Sequence, residues 1–109
     1  MEGFVKGDIV IMAFPFSDFS QSKKRPALVL ASLGGEDVVV CQITSSIAER
    51  AIPLAAKDFE DGSLSRDSFI RPDKLFTVSS SLISYKAGKL KKEKLNAVLD
   101  KTVEIIRRL

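Results

Sequence analysis

Three short stretches of the chain set charged or hydroxyl side chains beside stiff neighbours. Arg25 stands between Lys24 and Pro26. Proline fixes its own φ and drives the preceding residue toward extended backbone, so the guanidinium is held in place. A planar guanidinium so placed takes a phosphate through two parallel N–H bonds, and it serves equally as a loop cation beside a carboxylate. Thr44, Ser45 and Ser46 follow an apolar run that ends at Ile43. Hydroxyls there donate to an anion or cap backbone groups. Arg71, Pro72 and Asp73 set a cation and an anion two residues apart across a proline. They bracket one substrate or pair with each other at a turn.

Composition narrows this chemistry. The 109 residues contain no His, no Trp and a single Cys, Cys41. An imidazole base, a His-ligated metal and a cysteine-built zinc site are excluded, and no disulfide can close within the chain. Neither a metal nor a cofactor is expected. Cys41, set in a valine run, reads as a small buried hydrophobe. Lys and Arg number 17 against 14 Asp and Glu, a net charge of +3. The basic residues gather in Lys23-Lys24-Arg25 and in Lys89, Lys91, Lys92 and Lys94. Such clusters attract polyanions or acidic protein segments, or simply solvate a face. No apolar stretch approaches the ~18 residues of a membrane span. The first residues lack the basic-then-apolar layout of a signal peptide, so a cytoplasmic protein with no membrane partner is expected.

These residues need a scaffold, and the length suits one domain over residues 1–109. Ile9 to Phe14 is a short β-rich apolar run that reads as a strand buried on both faces and stopped by Pro15. Residues 16–25 are polar and basic, which predicts a long mobile loop. Ala27–Ala31 and Val38–Ile43 read as strands paired antiparallel about Gly34-Gly35. Ile52 and Leu54 flank Pro53 in a short edge strand, and Asp58 to Gly62 reads as a turn. Ser68–Arg71 and Leu75–Val78 read as two strands separated by Pro72-Asp73, while Leu82–Lys86 fits neither pattern. From Lys91 the period changes to three and four, through Leu95, Val98, Leu99, Thr102, Ile105, Ile106 and Leu109. That is an amphipathic C-terminal helix, with Glu93 near its start and Arg107-Arg108 at its end favouring its dipole. Val103 lies off the stripe and is available to a second interface. Five or six short strands and one packing helix give a mainly β, α+β protein: a small, strongly curved antiparallel sheet or half-open barrel whose open end the helix covers.

Several segments in order resemble the MazF/PemK family of toxins, the toxin halves of type II toxin–antitoxin pairs. They are Gly7-Asp8-Ile9-Val10, Phe14-Pro15-Phe16-Ser17-Asp18, Lys24-Arg25-Pro26-Ala27-Leu28-Val29-Leu30 and Gln42-Ile43-Thr44-Ser45. Gly62-Ser63-Leu64, then Asp67 through Leu75, and Gly88-Lys89-Leu90 continue the series. The resemblance implies an SH3-like barrel, a homodimer, and metal-independent, sequence-selective cleavage of single-stranded RNA. In such cleavage the ribose 2′-OH attacks the adjacent phosphate. By position, Arg25 matches the family's Arg-Pro motif, Thr44 the hydroxyl after the third strand, and Arg71 and Asp73 an Arg-x-Asp pair. Arg25 and Arg71 would then stabilise the scissile phosphate, Thr44 would hydrogen-bond it, and Asp73 would be the base. Lys23 and Lys24 would track the RNA backbone, Ser45 would add a hydroxyl, and Phe16 or Phe19 would stack an unpaired base. Asp18 is an alternative acid–base group, because this first loop lacks the Glu or His of some members. The family also implies a cognate antitoxin with an acidic C-terminal segment and contact with operator DNA through it. Two other functions fit the same fold: a non-catalytic module binding RNA or antitoxin and operator, and a toxin that poisons gyrase.

Overall fold

Alternating side chains along the first three strands fill two separate cores, one on each face of a single sheet. The structure is a computed structural model that describes residues 3–13 and 23–109. The described residues form β1 (Asp8–Ala13), β2 (Lys24–Ser32), β3 (Asp37–Thr44), β4 (Ile52–Leu54), β5 (Phe59–Gly62), β6 (Ser68–Ser79), β7 (Ile83–Leu90) and α1 (Lys92–Arg108). Every strand pairing is antiparallel, in the order β4-β6-β3-β2-β1-β7-β5. The sheet curls into a half-barrel closed off by two short edge strands, which leave little open ladder for another chain to pair with. Ile9, Leu28, Leu30, Cys41, Ile43 and Ile70 build one core, and Val10, Met12, Ala27, Val29, Val38 and Val40 belong to the other. Successive residues of a strand point to opposite faces, so a run apolar at every position requires a cover on both sides.

The first core is covered by α1. Leu95, Val98 and Thr102 are buried against it, and the Thr102 hydroxyl satisfies itself by donating to the Val98 carbonyl at 2.8 Å. The expected stripe is covered only over its first half. Ile106 and Leu109 remain exposed, because the helix outruns the surface beneath it. Its start is tied to the chain rather than capped by its own side chain: the Lys91 amide donates to the Asp58 carbonyl at 2.9 Å, and Lys94 pairs with the Asp58 carboxylate. At the other side of the sheet, buried Asp8 receives Lys86 and Lys89 from β7 and accepts from the Val5 amide.

Four expectations change in detail. Lys24 and Arg25 belong to β2 rather than to a loop, since Met12 and Ala13 of β1 pair with them. The acidic turn at Asp58–Gly62 is largely strand: β5 pairs with β7 because Gly62 and Gly88 let the two backbones approach closely. The two predicted strands about Pro72-Asp73 are one strand, β6, interrupted by a bulge. Leu82–Lys86 is mostly β7. The hairpin between β2 and β3 turns where expected, with Gly34 and Gly35 both at positive φ (86° and 60°), as a tight two-glycine reversal requires.

Candidate functional site

Strands β2 and β3 pair from Ser32↔Val38 down to Ala27↔Gln42 and then part. The next residue of β2 is Pro26, which has no N–H to offer, so the ladder ends there. On its other edge β2 still pairs with β1, at Pro26↔Ile11 and Arg25↔Met12. Likewise β3 stays with β6, at Ile43↔Ile70 and Thr44↔Phe69. The two strand ends are therefore held rigidly by outside neighbours while diverging from each other. Between them opens a cleft of ≈ 270 Å³ lined by Ile11, Lys24, Arg25, Pro26, Ile43, Thr44 and Ser45, and by Leu64, Ser65, Arg66 and Ser68 from the segment entering β6. Its floor is apolar and its rim carries three cations and several hydroxyls. Among the described residues no carboxylate pairs with Lys24, Arg25 or Arg66. Thr44 Oγ1 accepts from the Ser46 amide at 3.2 Å, which fixes its side chain at the strand end and leaves the hydroxyl proton for a ligand.

Arg71 and Asp73 lie one strand further on. Arg71 opposes Gln42, and the next pair along is Cys41↔Leu75, so Pro72, Asp73 and Lys74 are extruded from the ladder. The bulge folds Asp73 back on Arg71, which donates from Nε to Oδ1 at 3.1 Å and from Nη2 to Oδ2 at 2.7 Å. These bonds hold the Asp73 carboxyl below the usual carboxylate range, against the opposing effect of its partial burial. The nearby charge of Arg50 adds to the lowering. By alternation from the Ala27↔Gln42↔Arg71 row, Arg25 and Thr44 share the face that carries Gln42 and Arg71.

The structure thus brings Lys24, Arg25, Thr44 and Ser45 into one cleft. Arg71 and Asp73 stand beside it, engaged with each other. Lys23 is exposed immediately before β2, and Phe16, Asp18 and Phe19 lie outside the described residues. Sequence reasoning missed Arg66, Ser65 and Ser68. Ser65 and Arg66 fall in a polar run that does not say which way it folds, and Ser68 was read only as the first residue of a strand. Among the described residues no group of three His, Cys, Asp or Glu side chains gathers, and no helix is long and apolar enough to cross a membrane.

Residues 5–106 match the model of the PemK-like, MazF-like toxins of type II toxin–antitoxin systems, and the chain belongs to that family. Solved structures agree in fold. MazF from Deinococcus radiodurans is 20% identical, with TM-score 0.75 over 98% of this chain and 99% of that one. MazF in a MazE–MazF complex from the same organism is 17% identical, with TM-score 0.74 over 97% of each chain. An endoribonuclease from a mycobacterial species is 12% identical, with TM-score 0.74 over 98% of this chain and 94% of that one. Among curated proteins none matches this sequence.

Proposed function

We propose that this toxin is a metal-independent endoribonuclease that cuts single-stranded mRNA at selected sequences and so inhibits translation and growth. The observation that carries this reading is the cleft between the parted ends of β2 and β3, where Arg25 and Thr44 meet two further cations that have no carboxylate partner among the described residues. Arg25 grips the scissile phosphate and stabilises the charge that builds as the 2′-OH attacks, while Thr44 donates to a phosphate oxygen. Lys24, Lys23 and Arg66 hold the flanking backbone, and Ser45 supplies a further hydrogen bond. Arg71 bonds Asp73 through Nε and Nη2, and the same pairing makes Asp73 a weak base at neutral pH. In this reading Asp73 keeps Arg71 extended toward the phosphate, and preorganised charge supplies most of the acceleration. Such a mechanism calls for neither imidazole nor metal.

MazF of Deinococcus radiodurans has been solved with MazE, and a mycobacterial endoribonuclease with its cognate antitoxin. By analogy this chain works as a cytoplasmic homodimer and is silenced by an antitoxin whose acidic segment occupies the cationic cleft. Contact with operator DNA then runs through that antitoxin. The test compares wild-type protein with Arg25→Ala on a panel of single-stranded RNAs. Loss of cleavage by about 100-fold or more, with an unchanged circular dichroism spectrum and mass, supports the enzyme. RNA binding with no cleavage by either protein favours a non-catalytic module of the same fold. Inhibition of gyrase supercoiling by wild-type protein, with RNA left intact, favours the gyrase poison.

A further inference from the structure

The register between β1 and β7 contains an irregularity with a chemical consequence. Met12 pairs with Ile83, but Ile11 pairs with Tyr85, so Ser84 is skipped. In an unbroken ladder Ser84 would oppose Ile11, and Tyr85 would oppose Val10, which lies in the second core. The extra residue turns Tyr85 to the face of Ile11 instead, which is what a β-bulge does to the side chain that follows it. Ile11 lines the cleft, and on its other side it pairs with Pro26, which lines the cleft too. Tyr85, Ile11 and Pro26 thus form one row across β7, β1 and β2, on the face opposite Arg25 and Thr44, and the row meets those two residues only at the cleft, where the parted strand ends expose both faces. Tyr85 is 58% exposed, although a phenol ring at this strand position could have been buried by the regular register.

Two strand spacings, about 10 Å, separate Tyr85 from Pro26, which lines the cleft. Its flanking residues Ser84 and Lys86 are exposed, so nothing beside it in the strand covers the ring. A flat π-face at this distance from a cationic cleft suits the base next to a bound phosphate. Stacking on an aromatic ring needs no particular base and accounts for much of single-strand affinity. We propose that Tyr85 is the stacking platform for an unpaired RNA base flanking the scissile phosphate. This rests on the ribonuclease reading above and extends it to how the substrate is oriented.

The chain has one Tyr and no Trp, so its intrinsic emission reports on Tyr85 alone. The probe is a set of short 2′-O-methyl oligoribonucleotides of randomised sequence, end-labelled, which bind without offering a 2′-OH for attack. Anisotropy of the label measures binding, and tyrosine emission, corrected for base absorbance, measures stacking. The expected result is quenching that follows the binding curve, affinity weakened roughly tenfold in Tyr85→Ala, and affinity kept in Tyr85→Phe. With cleavable RNA, Tyr85→Ala should raise KM and leave kcat within about twofold, since stacking binds ground state and transition state alike. Tight binding with unaltered emission, and a Tyr85→Ala protein that binds like wild type, overturns the platform while leaving the ribonuclease intact. A change of sedimentation mass in Tyr85→Ala assigns the ring to a contact between copies and also overturns it. Failure of wild-type protein to bind any RNA overturns the ribonuclease reading itself.

Discussion

Arg71 and Asp73 clasp each other through two hydrogen bonds across the bulge of β6, at 3.1 and 2.7 Å. The bulge extrudes Pro72, Asp73 and Lys74 opposite the step between Cys41 and Gln42. Both side chains are less than one quarter exposed (23% and 21%), so the pair is screened less than a surface ion pair and more than a buried one.

The clasp makes stability depend on pH in a defined direction. The folded state lowers the Asp73 proton affinity, so its contribution is fully present above the ordinary carboxylate value of about 3.9. It is lost as pH falls through the lower folded value. Asp73→Asn should therefore cost about 1 kcal/mol at pH 7, and the cost should shrink steadily below about pH 4. Urea unfolding of both proteins from neutral to acid pH measures this. A difference that stays constant across the range contradicts the assignment.

Cys41 should be inert in the native protein. Burial pushes its thiol up to about 12, with the charge of Asp73 adding to the rise, so almost no thiolate forms at pH 8. Reaction with a disulfide reagent should be undetectable on the folded chain and should appear with unfolding by denaturant. Prompt stoichiometric labelling of folded protein would show that the strand opens far more readily than its packing implies.

Arg66 should matter to RNA affinity although no motif marks it. It rims the cleft without a carboxylate partner among the described residues. Arg66→Ala should weaken RNA binding at low salt and reduce the slope of log affinity against log salt by roughly 0.7, the value for one phosphate contact on a single strand. Melting temperature should stay close to wild type, because the residue is exposed. An unchanged salt slope would remove Arg66 from the interface.

The close approach of β5 to β7 should be intolerant of side chains. A Cβ on Gly62 would strike the Ala87 carbonyl oxygen and stand 2.6 Å from the Gly88 Cα, and Gly62 has φ +75°. Gly62→Ala should destabilise the protein by about 2 kcal/mol or more, since the obstruction is backbone and the φ is unfavourable. Thermal unfolding checks this directly, and a neutral outcome would mean that β5 does not hold to β7 in solution.

What could be read in advance follows the range of the forces involved. The strands near Ile9, Leu28 and Val40 and the helix from Lys92 announce themselves through local apolar patterns, and Gly34-Gly35 announces its own turn. Strand β5 does not, because its sequence is acidic and it becomes a strand only by pairing with β7 across two glycines. Exposure of Ile106 and Leu109 was likewise invisible, since a helical stripe says which residues are apolar but not how far the opposing surface extends. At the site, the local setting of Arg25 and Thr44 allowed a ligand or a purely structural role, and it was the family resemblance that singled them out. Their meeting in one cleft depends on Pro26 ending the ladder with β3, and Arg66 reaches it only through tertiary folding. The engagement of Arg71 with Asp73 was one of two readings that two-residue spacing allows, and the bulge selects it.

Under the proposed function, the cleft carrying Arg25 and Thr44 cleaves RNA by internal attack of the 2′-OH without a metal. The most direct measurement is incubation of folded, antitoxin-free protein with varied single-stranded RNAs in excess EDTA, with both new ends mapped. A 2′,3′-cyclic phosphate or 3′-phosphate on one fragment and a 5′-OH on the other is the predicted result, lost with Arg25→Ala. No cleavage under these conditions, or products bearing a 5′-phosphate and a 3′-OH, would contradict it.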